Sequence, residues 1–121
     1  MPVERSAMPG APLWVIRWTP REGVSAADTE AALDAHLEWM LGLEGAGYVV
    51  ASGPLTSGPG VAPGSGLTVL RAASAEEAAA LAADDPFVTK GLRGFEVFGW
   101  RVLEGALTVR VSFGTTTYRI S

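Results

Sequence analysis

The chain has 121 residues, 48% of them apolar and 18% charged, which suits one packed domain and excludes disorder as the default. A net charge of −4 without a basic cluster argues against a nucleic-acid partner, and no cysteine with a single histidine leaves neither thiolate chemistry nor a multi-histidine metal centre. No apolar run is long enough for a membrane span and the opening MPVERSAMPGAP has no signal-peptide core, so the expectation is a cytoplasmic protein without a membrane partner.

Residues 1–11, rich in Pro, Gly and small polar side chains, read as a flexible lead-in. Leu13–Trp18 (LWVIRW) alternates as a strand, with Trp14, Ile16 and Trp18 on one face and Val15 and Arg17 on the other, before Thr19-Pro20. A helix follows, with Ser25 or Asp28 as N-cap and Leu33, Leu37, Met40 and Leu41 at helical spacing up to Gly45 or Gly47. Tyr48–Ala51 is the second strand, running into Ser52-Gly53-Pro54. Residues 56–66 are mostly Gly, Pro and Ser and read as a loop. Leu67–Arg71 is the third strand. Ser74 and Glu77 have capping-box spacing and open an Ala-rich helix that runs to Ala83 and closes at Asp84-Asp85-Pro86. Phe95–Leu103 is the fourth strand, its internal Gly99 hinting at a bulge or a close approach.

The order β-α-β, β-α-β predicts an α+β domain of the ferredoxin-like split β-α-β kind over residues 12–104. Two helices cover one face of a four-stranded sheet, so the other face calls for a second copy: a homodimer is expected. Residues 105–121 alternate Leu107, Val109, Val111 and Phe113 with polar residues, turn near Gly114-Thr115 and continue through Tyr118 and Ile120. They predict an added C-terminal β-hairpin lying on a sheet edge, its own or the partner's.

The chemistry rests on few residues. His36 stands in the first helix between apolar neighbours, where a buried imidazole needs a partner for each nitrogen. Asp85, held out of helical geometry by Pro86, ends the second helix and can reach the middle of the first. Such a His–Asp pair makes an acid–base group that works near neutrality, and Ser52 offers a hydroxyl. Each also has an ordinary reading: a packed histidine, a helix stop, a strand exit. The four tryptophans, Trp14, Trp18, Trp39 and Trp100, fit core or dimer contacts.

The strings AHLEWMLGLEGAGYVVASGPL and SAEEAAALAADDPFVTKGL, followed by FEVFGWRVL, resemble the YCII-related domain family over roughly Leu13–Leu103. The resemblance implies a dimeric α+β barrel, two ferredoxin-like protomers with their sheets face to face. It also implies a His–Asp pair at His36 and Asp85, a strand end at Ser52, Gly53 and Pro54, and Phe87 as the aromatic after Asp-Pro. The lead-in and the hairpin depart from the compact family pattern. So do Arg17 and Trp18, where smaller or less charged strand residues are the rule.

Two functions then compete. In one, the protein is a cofactor-independent lyase or isomerase acting on a small cyclic or aromatic-derived substrate, with His36 moving a proton and Asp85 orienting it. Ser52, Gly53, Pro54, Phe87, Arg17 and Trp14 form the candidate substrate-binding set. In the other, it is a non-catalytic dimer that binds a small molecule or assists a metabolic pathway. Dimeric α+β barrels sometimes hold haem or flavin, but the chain has no dedicated cofactor or metal motif, so neither a cofactor nor a metal is expected.

Overall fold

The structure, a computed structural model, describes residues 12–106, 108–114 and 117–120; the lead-in expected at 1–11 lies outside them. The elements are β1 (Leu13–Pro20), α1 (Ala26–Gly45), β2 (Val49–Pro54), β3 (Gly66–Arg71), α2 (Ala75–Ala83), α3 (Pro86–Thr89), β4 (Arg93–Trp100), β5 (Val109–Ser112) and β6 (Thr117–Ile120). The main sheet has the order β2-β3-β1-β4, with every pairing antiparallel. This is the ferredoxin-like split β-α-β arrangement that the element order predicts.

Strand alternation places the core. Ile16 and Trp18 of β1 and Thr68 and Leu70 of β3 are buried on one face, where Ala72, Ala78 and Ala82 join them and Trp14, Trp39, Phe95 and Val97 pack around. The opposite face carries Leu13, Val15, Leu67, Val69, Phe98 and Trp100, by register with one another. Phe98 and Trp100 are 46% and 49% exposed there.

Helix α1 starts where Ser25 caps it. Ser25 Oγ accepts from the Asp28 N–H at 3.1 Å, and Asp28 Oδ2 accepts from the Ser25 N–H at 3.3 Å. It ends in a Schellman motif: Tyr48 N–H to Leu43 O and Gly47 N–H to Glu44 O. Gly47 supplies the positive φ of 87°. Which face turns inward differs from the sequence expectation. Leu33, Leu37 and Leu41 are 39%, 46% and 62% exposed, whereas Ala32 is buried and His36, Trp39, Met40 and Leu43 are half-buried. Two adjacent stripes of this helix are apolar, and periodicity does not choose between them. The edge-on contact of Trp39 with Trp18 favours the stripe that carries it.

Two further differences are local. Ser74 Oγ accepts from the Glu77 N–H at 3.1 Å, but the return bond from the Glu77 side chain is not formed. β4 begins two residues earlier and stops three earlier than its pattern suggests. Its register with β1 is unbroken, so Gly99 marks a close approach and no bulge; a Cβ there would lie 3.2 Å from Trp14 Cζ3. The hairpin β5–β6 forms its own two-stranded sheet and joins neither edge of the main one.

Candidate active site

The site begins with Pro86. A proline keeps the residue before it out of helical geometry, and Asp85 sits at φ −57°, ψ 126° as N-cap of the four-residue α3. Its carboxyl is fully buried. Oδ1 accepts from the Phe87 N–H at 3.2 Å and lies 2.7 Å from His36 Nδ1, forty-nine positions back in the chain (position separation 49). Oδ2 accepts from Arg93 Nε at 2.7 Å. Arg93 Nη2 lies equally close to Oδ2 at 2.7 Å but off the line of its own N–H, and it is buried without a hydrogen-bond partner. One carboxylate thus ties the middle of α1 to the head of β4.

Burial alone would raise the Asp85 carboxyl. The His36 hydrogen bond, the Arg93 charge and the Phe87 N–H outweigh it and hold the group below its ordinary value. Asp85 is therefore ionised at neutral pH. Burial pulls the Arg93 guanidinium below its usual value, and Asp85 offsets part of that; an arginine nonetheless stays charged. The guanidinium lies 3.8 Å over the Trp18 ring and 5.0 Å from the Phe87 centroid, a stacked position that also lowers its energy.

The same aromatics hold the imidazole. Phe87 stacks on His36 with centroids 4.2 Å apart and planes 15° off parallel, and Trp39 stands 5.8 Å away. An ionised acceptor at Nδ1 keeps the proton there and leaves the Nε2 lone pair available. Nε2 has no protein partner among the described residues. His36 borders a cleft of about 190 Å³ together with Trp18, Met40, Ser52, Gly53, Pro54, the turn 64–66 and Arg93. In the same lining Ser52 Oγ lies 2.7 Å from Thr68 Oγ1, which accepts the Trp18 Nε1–H at 2.8 Å. A small polar ring placed in this cleft meets a base, a cation and a hydroxyl.

Of the residues expected at the site, the fold brings together His36, Asp85, Ser52, Gly53 and Pro54, with Phe87 behind the imidazole. It does not bring Arg17 or Trp14. Arg17 is exposed on the sheet face away from the helices, opposite Glu96 in register, because a period of two turns it away from Ile16 and Trp18. Trp14 faces the core from the other end of β1, where it donates Nε1–H to Ala72 O at 3.0 Å and covers Gly99. Both expectations are corrected. Arg93 was missed, although a buried carboxylate with an imidazole on one oxygen needs a hydrogen-bond donor on the other. The only signal was an arginine eight residues beyond Asp85 (separation 8). Among the described residues no group of three His, Asp or Glu side chains is arranged to hold a metal ion, and no helix is long and apolar enough to cross a membrane.

The model of the YCII-related domain family matches residues 13–101. Among solved structures, 5-chloro-2-hydroxyhydroquinone dehydrochlorinase (TftG) from Burkholderia phenoliruptrix AC1100, in complex with 2,5-dihydroxybenzoquinone, is similar to this chain. The two are 26% identical over 74% of this chain and 93% of that one, with a TM-score of 0.59. No curated protein matches.

Proposed function

The chain belongs to the YCII-related family, and on that footing we propose that it is a cofactor-independent enzyme of the lyase or isomerase type. Its substrate is a small oxygenated, aromatic-derived ring. The observation that carries the reading is the 2.7 Å contact of His36 Nδ1 with a fully buried, ionised Asp85 at the edge of an open cleft. The similarity to a lyase-type enzyme whose structure holds a dihydroxybenzoquinone supports the ring as substrate class.

In this mechanism neutral His36 takes a proton from the ring or its hydroxyl through Nε2. The electron pair moves into the ring and its oxygen, forming an enolate. Asp85 stabilises the imidazolium that results, at no cost in reorientation. The enolate then collects the imidazolium proton at another ring carbon, which isomerises the ring; where that carbon bears a halide, His36 removes a second proton from a conjugated hydroxyl and the halide leaves, which completes an elimination. Arg93 and Ser52 hold the oxygen on which charge develops. A positioned base of this kind contributes about 10²- to 10⁴-fold to the rate.

His36→Gln removes the base and keeps a planar, polar side chain. Assayed on hydroxylated and halogenated hydroquinones, it is expected to lose about 10²- to 10⁴-fold in kcat with an unchanged circular dichroism spectrum. Turnover at the wild-type rate would refute the mechanism. Tight ring binding without turnover by the wild-type protein favours the second reading, a non-catalytic binding or accessory protein.

The same proposal makes the protein a homodimer through the open sheet face. Half-buried Val15 and Val69 with exposed Leu67, Phe98 and Trp100 support it, since a contiguous apolar face of this kind is costly in water.

A further inference from the structure

Beside the cleft lies a second, larger hollow of about 720 Å³. It is bounded by the stretch from Pro20 into the first turns of α1, by the loop at Ala62–Gly64, and by Phe87 and Leu92. Its floor is mostly apolar, lined by Val24, Leu33, Ala62, Pro63, Phe87 and Leu92, with the hydroxyl residues Ser25 and Thr29 among them. Exposed Arg21, Glu22 and Glu30 stand at its border.

The two hollows share walls. Arg93 and Gly64 line both, and the Phe87 ring that stacks on His36 also borders the larger one. Gly64 stands at the junction with φ +95°, a conformation that a side chain strains to adopt. The cleft alone is smaller than the roughly 300–1,000 Å³ typical of small-molecule sites, whereas the outer hollow falls within that range. Polar groups converge in the inner chamber and are scarce on the floor of the outer one. We infer that the substrate is an oxygenated ring carrying an uncharged apolar substituent of several carbons. The ring sits against His36 and Arg93, and the substituent passes Gly64 into the outer hollow. This rests on the reading that a ring occupies the cleft.

Calorimetric titration of the protein with hydroquinone and its 2-alkyl homologues, methyl to hexyl, tests the assignment. The expected result is a Kd that falls roughly two- to fourfold for each added methylene, as burial of one CH₂ supplies. In Ala62→Trp, and independently in Leu33→Trp on α1, the hexyl homologue is expected to bind no tighter than hydroquinone. Affinities that do not change with chain length, a dependence left intact in both variants, or no binding across the series would each overturn it. His36→Ala separates the two proposals. Lost turnover with the chain-length dependence retained supports both, and normal turnover with the dependence retained removes only proton transfer by His36. Lost turnover with flat affinities removes only the outer hollow.

Discussion

Asp85 has three partners and no exposure: the imidazole of His36, the guanidinium of Arg93 and the N–H of Phe87. Asn at this position can still accept one hydrogen bond but leaves the 12%-exposed arginine without its counter-charge. Removing one member of such a pair costs on the order of 3 kcal/mol. Asp85→Asn is therefore expected to lower the unfolding free energy, read from urea titration, by about 3 kcal/mol at neutral pH. The pH dependence has a definite sign. The folded-state pKa lies below the unfolded one, so the unfolded chain binds the proton more readily. The contribution is complete above the unfolded value of about 3.9 and is lost as the pH falls through the lower folded value. Urea titrations between about pH 2 and 7 are expected to show a steeper acid loss below about pH 4 in the wild type than in Asp85→Asn. Equal slopes would mean that the carboxylate is not depressed. Thr68 is the second buried polar hub: it accepts from Trp18 and contacts Ser52. Thr68→Val leaves the Trp18 N–H unpaired in the core, and a loss of about 1–3 kcal/mol in the same assay is expected.

At the scale of elements, α1 and the α2–α3 junction position the chemistry, and β1–β4 packing holds them to the sheet. Gly99 tests that packing. A methyl there would lie 3.2 Å from Trp14 Cζ3, and the indole has little room to give because its N–H is bound to Ala72 O at 3.0 Å. Gly99→Ala is expected to destabilise the fold by about 1–2 kcal/mol, an overpacking effect, although alanine is otherwise as good a strand residue as glycine. Unchanged or increased thermal stability would show that the ring moves freely. The caps of α1 were legible to within two choices at each end, Ser25 or Asp28 and Gly45 or Gly47, since their chemistry is local; the fold takes Ser25, with Asp28 as its capping-box partner, and Gly47. The helix's inward face was not, because Ala32, His36, Trp39 and Leu43 compete with the stripe Leu33, Leu37, Met40 and Leu41, of which only Met40 is half-buried.

For the whole molecule, the decisive feature is a sheet covered on one side only. If a second copy covers the other, a charge at its centre is expected to separate the two. Val69→Glu, in register with Val15 across β1 and β3, should sediment as a monomer where the wild type sediments as a dimer. A wild-type protein that sediments as a monomer at micromolar concentration would end the dimer proposal. The β5–β6 hairpin pairs with neither edge of its own chain's main sheet, so of the two edges its alternation suggests only the partner's is left as a proposal. A hairpin's internal register is local, but where it docks depends on surfaces far from it in sequence.

The amino-acid sequence by itself determined the order and type of the six main elements, the serine caps of both helices as candidates, and the pairing of His36 with Asp85. Periodicity, capping chemistry and the pre-proline restriction act over a few residues, and the family motif carried the long-range pair. Tertiary structure alone decided that Arg93 completes the carboxylate's partners and that Arg17 and Trp14 lie away from the cleft. It also decided which stripe of α1 turns inward. Those outcomes follow from packing and from the cost of burying charge, which bring together groups that the chain keeps far apart.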